Sequence, residues 1–92
     1  MYLEIFSPEA TLFTGEVDSV IVPGSAGAFQ MLDNHASIVS SLKEGIVKIS
    51  GKIDLDDAVK DKFERKDVNT TLFKINSGTI EMLDNKLILL AD

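Results

Sequence analysis

The residues with the greatest chemical capacity stand together in Asp33-Asn34-His35-Ala36-Ser37, where an acid, the chain's only histidine and a hydroxyl fall within five positions. That set contains the acid, base and hydroxyl of a hydrolytic site. Such sites are defined by convergence in three dimensions, and neighbours on one turn seldom point into a common pocket. Asp, Asn and Ser are also the residues that turns use for their own hydrogen bonds. The segment therefore reads as a polar turn whose histidine bonds to backbone.

Other chemistries have less support. One histidine without cysteine cannot build a zinc site of the usual nitrogen and sulfur kind. Asp54, Asp56 and Asp57 suggest calcium, but the alternating acids, central glycine and closing glutamate of a calcium loop are missing. Gly24-Ser25-Ala26-Gly27 is followed by a strand pattern rather than a helix and lacks the lysine of a phosphate cradle. No paired carboxylates, nucleophile elbow or basic aromatic stripe occurs. The residues imply no catalytic group, no cofactor and no metal.

The elements around these residues are short strands. Runs rich in Val, Ile, Leu and Phe are separated by turn residues every few positions, as in a β-sandwich or flattened barrel. Met1 to Phe6 leads into a Ser7-Pro8-Glu9 turn. Ala10 to Phe13 follows, Thr14-Gly15 is expected to reverse the chain, and Glu16 to Val22 is expected to close at a type II turn on Pro23-Gly24. After a Ser25 to Gly27 loop come Ala28 to Leu32, the polar turn, Ile38 to Leu42 and Ile46 to Ser50. Thr71 to Ile75 and Thr79 to Leu83 flank Asn76-Ser77-Gly78, and Asp84-Asn85 joins the latter strand to Lys86 to Ala91 as a hairpin.

One stretch has another period. Leu55, Val59 and Phe63 recur every four residues, predicting a helix over Leu55 to Lys66. Asp54 would cap it, and Asp56 with Lys60 and Asp61 with Arg65 would form i,i+4 pairs. Such a helix is marginal alone and needs a surface to dock on.

Met-Leu-Asp-Asn occurs twice, at Met31 to Asn34 and at Met82 to Asn85. Two copies in so short a chain make no solenoid, and the pattern reads as two strands ended by the same turn chemistry.

At 92 residues and 45% hydrophobic content the chain suits one domain, residues 1–92, with a core of its own. A net charge of -6 argues against nucleic acid or anionic lipid as a partner. With no cysteine there is no disulfide framework, so packing must hold the fold. Neither a signal peptide nor an apolar run of membrane-spanning length is visible, which predicts a soluble, intracellular chain.

Four segments in order and at matching spacing carry a family resemblance. They are Ser7-Pro8-Glu9 with Leu12-Phe13-Thr14-Gly15-Glu16-Val17; Val20-Ile21-Val22-Pro23-Gly24 with Gly27; Met31-Leu32 with His35-Ala36; and Asn76-Ser77-Gly78-Thr79-Ile80-Glu81-Met82 with Asp84-Asn85-Lys86 and Leu90-Ala91-Asp92. Across nearly its whole length the chain resembles the N-terminal domain of F-type ATP synthase epsilon subunits. The resemblance implies a mainly β fold, a ten-stranded β-sandwich. It also implies a non-catalytic rotor subunit of the central stalk that binds the gamma subunit and the proteolipid ring, coupling proton-driven rotation to ATP synthesis. The implied location is peripheral, on the cytoplasmic face of the bacterial inner membrane. The segment facing the ring would comprise Gly27, Ala28, Phe29, Met31, Asp33, Asn34 and His35.

The chain departs from the family pattern in three places. Ala28 stands where glutamate is frequent. Asp33-Asn34-His35-Ala36-Ser37 replaces a Pro-Gly-His-Ala-Pro pattern, implying a less rigid turn. The C-terminal helical hairpin is absent from the sequence, so inhibition of hydrolysis or ATP binding through it is not expected. The helix over Leu55 to Lys66 would lengthen a region that is usually a hairpin, with its stripe packed on the sandwich or touching gamma. The alternative functional reading is a small β-sandwich module for a peptide or carbohydrate. With no tryptophan and Tyr2 as the only tyrosine, the aromatic platform such a module needs is hard to assemble.

Overall fold

A computed structural model describes residues 1–92. Ten strands follow one another: β1 (Tyr2–Phe6), β2 (Thr11–Glu16), β3 (Ser19–Gly24), β4 (Gly27–Leu32), β5 (Ile38–Leu42), β6 (Gly45–Ser50), β7 (Phe63–Asp67), β8 (Thr70–Ile75), β9 (Gly78–Leu83) and β10 (Lys86–Ala91). Hydrogen-bonded neighbours run β2-β1-β10-β9-β5-β3-β6-β8-β7, with β4 on the other edge of β3. The path folds at β3. That strand meets β5 only at Gly24↔Leu42, yet it pairs with β4 along its whole length and with β6 over Ser19 to Ile21. Two layers result, β2-β1-β10-β9-β5 and β4-β3-β6-β8-β7. Every ladder is antiparallel except β1 with β10.

Alternation along the strands sends every second residue into the space between the layers. Leu3 and Ile5 of β1, Ile80 and Met82 of β9, and Leu87 and Leu89 of β10 face Val20, Val22, Val47, Ile49, Phe73 and Ile75 of the other layer in a core of 20 buried apolar residues. Each fully buried Leu, Ile or Val contributes roughly 1.5–3 kcal/mol over an exposed one.

The helix expected over Leu55 to Lys66 does not form. Only a single 3-10 turn, Lys60–Lys62, stands there, and the chain from Phe63 onward is β7. The reason lies in the partner strand. Pairing with β8 places Phe63 opposite Phe73, and their rings stack with centroids 4.9 Å apart. That contact is unavailable to an isolated short helix, whose nucleation is costly. The expected i,i+4 pairs are therefore absent. Lys60 Nζ instead lies 3.6 Å from Asp57, and the Asp56 carboxylate accepts the Ala58 amide at 2.9 Å, ordering a turn. Leu55, Val59 and Phe63 are nonetheless partly buried against the core, so the stripe packs on the sandwich without helical geometry.

Two turns also fall elsewhere than expected. Thr14 and Gly15 lie inside β2, and the chain leaves that layer at Val17-Asp18. Pro23 and Gly24 end β3, and the hairpin closes through Ser25-Ala26 with Gly27 at φ 134°. Pro23 is tolerated within the strand because it stands where pairing with β6 gives way to pairing with β5. Its carbonyl still accepts the Lys43 amide at 2.9 Å.

Two substitutions should move stability in opposite directions, as read by urea unfolding. Phe63→Ala removes the half-buried ring stacked on Phe73 and should cost about 2 kcal/mol. Thr71 is fully buried and its hydroxyl has no hydrogen-bond partner, so Thr71→Val should stabilise by about 1 kcal/mol.

Candidate functional site

β4 and the turn after it carry the residues singled out by the sequence. Lys43 donates to the Pro23 carbonyl, so the odd-numbered residues of β3 direct their backbone groups away from β4, and Val20, Val22 and Gly24 bond to it. On β4, Gly27, Phe29 and Met31 are thus tied to β3, while the backbone groups of Ala28, Gln30 and Leu32 face outward. Gly27, Ala28 and Gln30 are exposed, and Phe29 packs partly against the core. Met31 departs from the expected surface position. Its side chain is fully buried, because alternation along β4 directs it between the layers, and it anchors the strand instead of facing a partner.

Asp33, Asn34 and His35 are exposed on the turn that leaves β4. The turn is closed by the His35 amide donating to the Leu32 carbonyl at 3.1 Å, and Asn34 adopts the left-handed conformation at φ 60°. His35 Nδ1 lies 2.7 Å from the Ala36 carbonyl, so it donates there and the histidine serves its own turn. Asp33 has other partners. Its Oδ1 accepts the Met1 ammonium at 2.5 Å and the Asn85 side-chain amide at 3.3 Å. The acid and the base of the five-residue set are therefore engaged separately and not as a hydrolytic pair.

Residues that sequence reasoning left aside brace this turn. The Met1 ammonium also lies 3.3 Å from Glu16 and 3.4 Å from the Val17 carbonyl. Asn85 Oδ1 accepts the Asn34 amide at 2.7 Å. The start of the chain, the end of β2, the β4–β5 turn and the β9–β10 turn are thereby joined. A signal for part of this was present, since Asn34 and Asn85 end the two Met-Leu-Asp-Asn copies. The copies meet in space, which their wording alone does not reveal.

The electrostatics follow from these contacts. The Asp33 carboxylate, opposed by desolvation and helped by Glu16, raises the Met1 amine above the ordinary α-amino range. The ammonium, and then the Asn85 amide, hold the Asp33 carboxyl below the usual carboxylate range.

This geometry defines a class: a small two-layer β-sandwich with a side-chain-braced polar turn at one end. The chain belongs to the ATP synthase Delta/Epsilon chain beta-sandwich domain family, whose pattern matches residues 1–92. It is 38% identical over 92 residues to the ATP synthase epsilon chain of Campylobacter curvus (strain 525.92), covering 100% of this chain and 60% of that protein. It is 37% identical over 90 residues to the ATP synthase epsilon chain of Leptospira interrogans serovar Lai (strain 56601), covering 98% of this chain and 59% of that one. The chain thus spans about 60% of the length of these relatives.

Among solved structures, the fold is similar to a chain in the central stalk and c-ring of the Tetrahymena thermophila mitochondrial ATP synthase. There the TM-score is 0.68 at 13% identity, over 98% of this chain and 61% of that one. A chain of the Euglena gracilis mitochondrial ATP synthase gives a TM-score of 0.73 at 15% identity, over 97% and 48%. At such identities the likeness concerns the fold.

The ion pair sets a pH dependence. An amine raised on folding stabilises fully below its unfolded pKa, and that contribution is lost as pH rises through the folded value. A carboxyl lowered on folding stabilises above its unfolded pKa, and that contribution is lost as pH falls through the folded value. The Met1–Asp33 contribution is therefore greatest between about pH 4 and pH 8. Urea midpoints of wild type and Asp33→Asn should differ most in that window and converge towards both extremes. A gap that stayed constant with pH would assign the effect to something other than the ion pair.

Proposed function

We propose that this chain is a non-catalytic rotor component of the central stalk of a rotary ATP synthase. It binds the gamma subunit and seats on the polar loops of the proteolipid ring, so that proton-driven rotation is coupled to ATP synthesis. It works as a peripheral component on the cytoplasmic face of the bacterial inner membrane, held there through the complex. No helix in the structure is long and apolar enough to cross a membrane. Family membership supports the assignment to the synthase.

The observation that carries the binding role is the outer face of the β2-β1-β10-β9-β5 layer. Val39, Leu83 and Leu90 stand there 72%, 57% and 51% exposed. Tyr2, Phe6 and Ile88 alternate onto the same face, where Phe6 pairs with Leu90 and Lys86 with Leu83. Polar residues would be the default on a solvated sheet face, and an apolar patch of this kind marks a protein-binding surface. The gamma subunit is its occupant. The ring meets strand β4 and the turn that follows it, at Gly27, Ala28, Phe29, Asp33, Asn34 and His35, with Met31 supporting them from the core.

Size-exclusion chromatography with the gamma subunit of the same organism tests this reading. A stable complex is expected, and Leu83→Asp together with Val39→Asp should weaken it at least tenfold, or about 1.4 kcal/mol, without altering the fold of the free chain. Folded partners that eluted separately would return the chain to an unassigned β module for a peptide or carbohydrate.

A further inference from the structure

The two Met-Leu-Asp-Asn turns supply a device that the stalk reading does not use. Met31 and Met82 are both buried, fixing the ends of β4 and β9 in the core, and each copy ends in an asparagine in the left-handed conformation, Asn34 at φ 60° and Asn85 at φ 61°. Across the gap between the turns, the Asn85 amide uses both of its ends. Its oxygen accepts the Asn34 backbone amide at 2.7 Å, and its nitrogen donates to Asp33 at 3.3 Å. Its backbone carbonyl separately accepts the Tyr2 amide at 3.1 Å. One side chain therefore spans residues 51 apart and holds two consecutive residues of the exposed turn.

We propose that Asn85 is a positioning residue for ring recognition: it latches the Asp33–His35 turn in the pose that meets the polar loops of the proteolipid ring. The inference rests on the ring-facing reading of that turn. Asn85 need not touch the ring. A polar turn recognised through hydrogen bonds loses binding when its donors and acceptors drift, so a residue outside the contact controls it through pre-organisation. Asparagine suits the role because it supplies an acceptor and a donor together. An aspartate there would set one carboxylate against another at Asp33.

The test compares wild type with three variants, each as the complex with gamma, for binding to detergent-solubilised proteolipid ring. Asn85→Gly removes the latch while keeping a residue at ease with φ 61° and the carbonyl bond to Tyr2. It should lower ring affinity about tenfold, the scale of two lost hydrogen bonds, with gamma binding unchanged. Asn85→Asp should lose at least as much. Asp84→Gly alters the neighbouring left-handed position, φ 52°, without touching the latch, and should bind as wild type. In the free chain, exchange of the Asn34 amide should quicken several-fold in Asn85→Gly.

Undiminished ring binding by Asn85→Gly, or unchanged exchange at Asn34, would overturn the proposal. If the wild-type complex itself left the ring unbound, the ring-facing reading would fall and the proposal with it. That outcome is distinct from a loss, or the lack of one, confined to the Asn85 variants.

Discussion

The apolar layer between the two sheets fixes the register of the strands that alternate into it, because the side-chain period is two and one wrong step exchanges the faces. A slip of one residue in β1 would turn Leu3 and Ile5 to solvent and drive Tyr2 and Glu4 into the core. Glu4 would then leave the Lys86 ammonium, 3.0 Å away on the outer face, for an apolar interior. The same argument runs through β10, β9, β6 and β8, whose buried residues alternate in the same way. With register fixed, the outer apolar face and the polar turn follow as consequences. Residues excluded from the core by alternation have no choice about where they stand.

Much of this was legible in the sequence where strands are local and alternating. Ile38 to Leu42 and Lys86 to Ala91 match β5 and β10 residue for residue, and the Asp84-Asn85 hairpin lies where the turn chemistry predicts it. What the sequence obscured is non-local. Leu55, Val59 and Phe63 have helical spacing, but Phe63 answers to Phe73 across a ladder, and no periodicity count registers a partner ten residues away in a strand yet to form. Pro23-Gly24 has turn composition, yet its neighbours on both edges keep it in β3. The site was legible as a segment and not as a structure. Asp33 to His35 could be named, whereas Asn85 and the Met1 ammonium reach them only through the closed sandwich.

The turn also shows how one restraint substitutes for another. The resemblance leads one to expect a Pro-Gly-His-Ala-Pro turn, stiffened by the fixed φ of proline. Asp33-Asn34-His35-Ala36-Ser37 has no such restraint in its own backbone, which implied a looser loop. In the fold, side-chain bonds from Asn85 and the Met1 ammonium restrain Asp33 and Asn34 from outside the turn. The expectation of a less rigid turn thus overlooks contacts that no reading of five residues contains. The two restraints differ in one respect. Proline acts in the unfolded chain as well, whereas the brace exists only once β1, β4 and β9 are in place.

The choice of asparagine over glycine at the left-handed positions carries the same logic further. Glycine adopts φ near 60° without steric cost, while a residue with a Cβ pays a penalty that the short polar side chain of asparagine only partly relieves. A non-glycine residue is favoured there when its side chain offsets that penalty. At Asn85 it does so twice, through Asn34 and Asp33. At Asn34 it is the backbone amide, which glycine would also supply, that donates to Asn85, so the bond accounts for the left-handed backbone there and not for the side chain. The strain in each turn and the bonds between the turns are therefore parts of one arrangement. Relaxing either turn alone would exchange the bonds between them for bonds to water and release the other turn from its restraint.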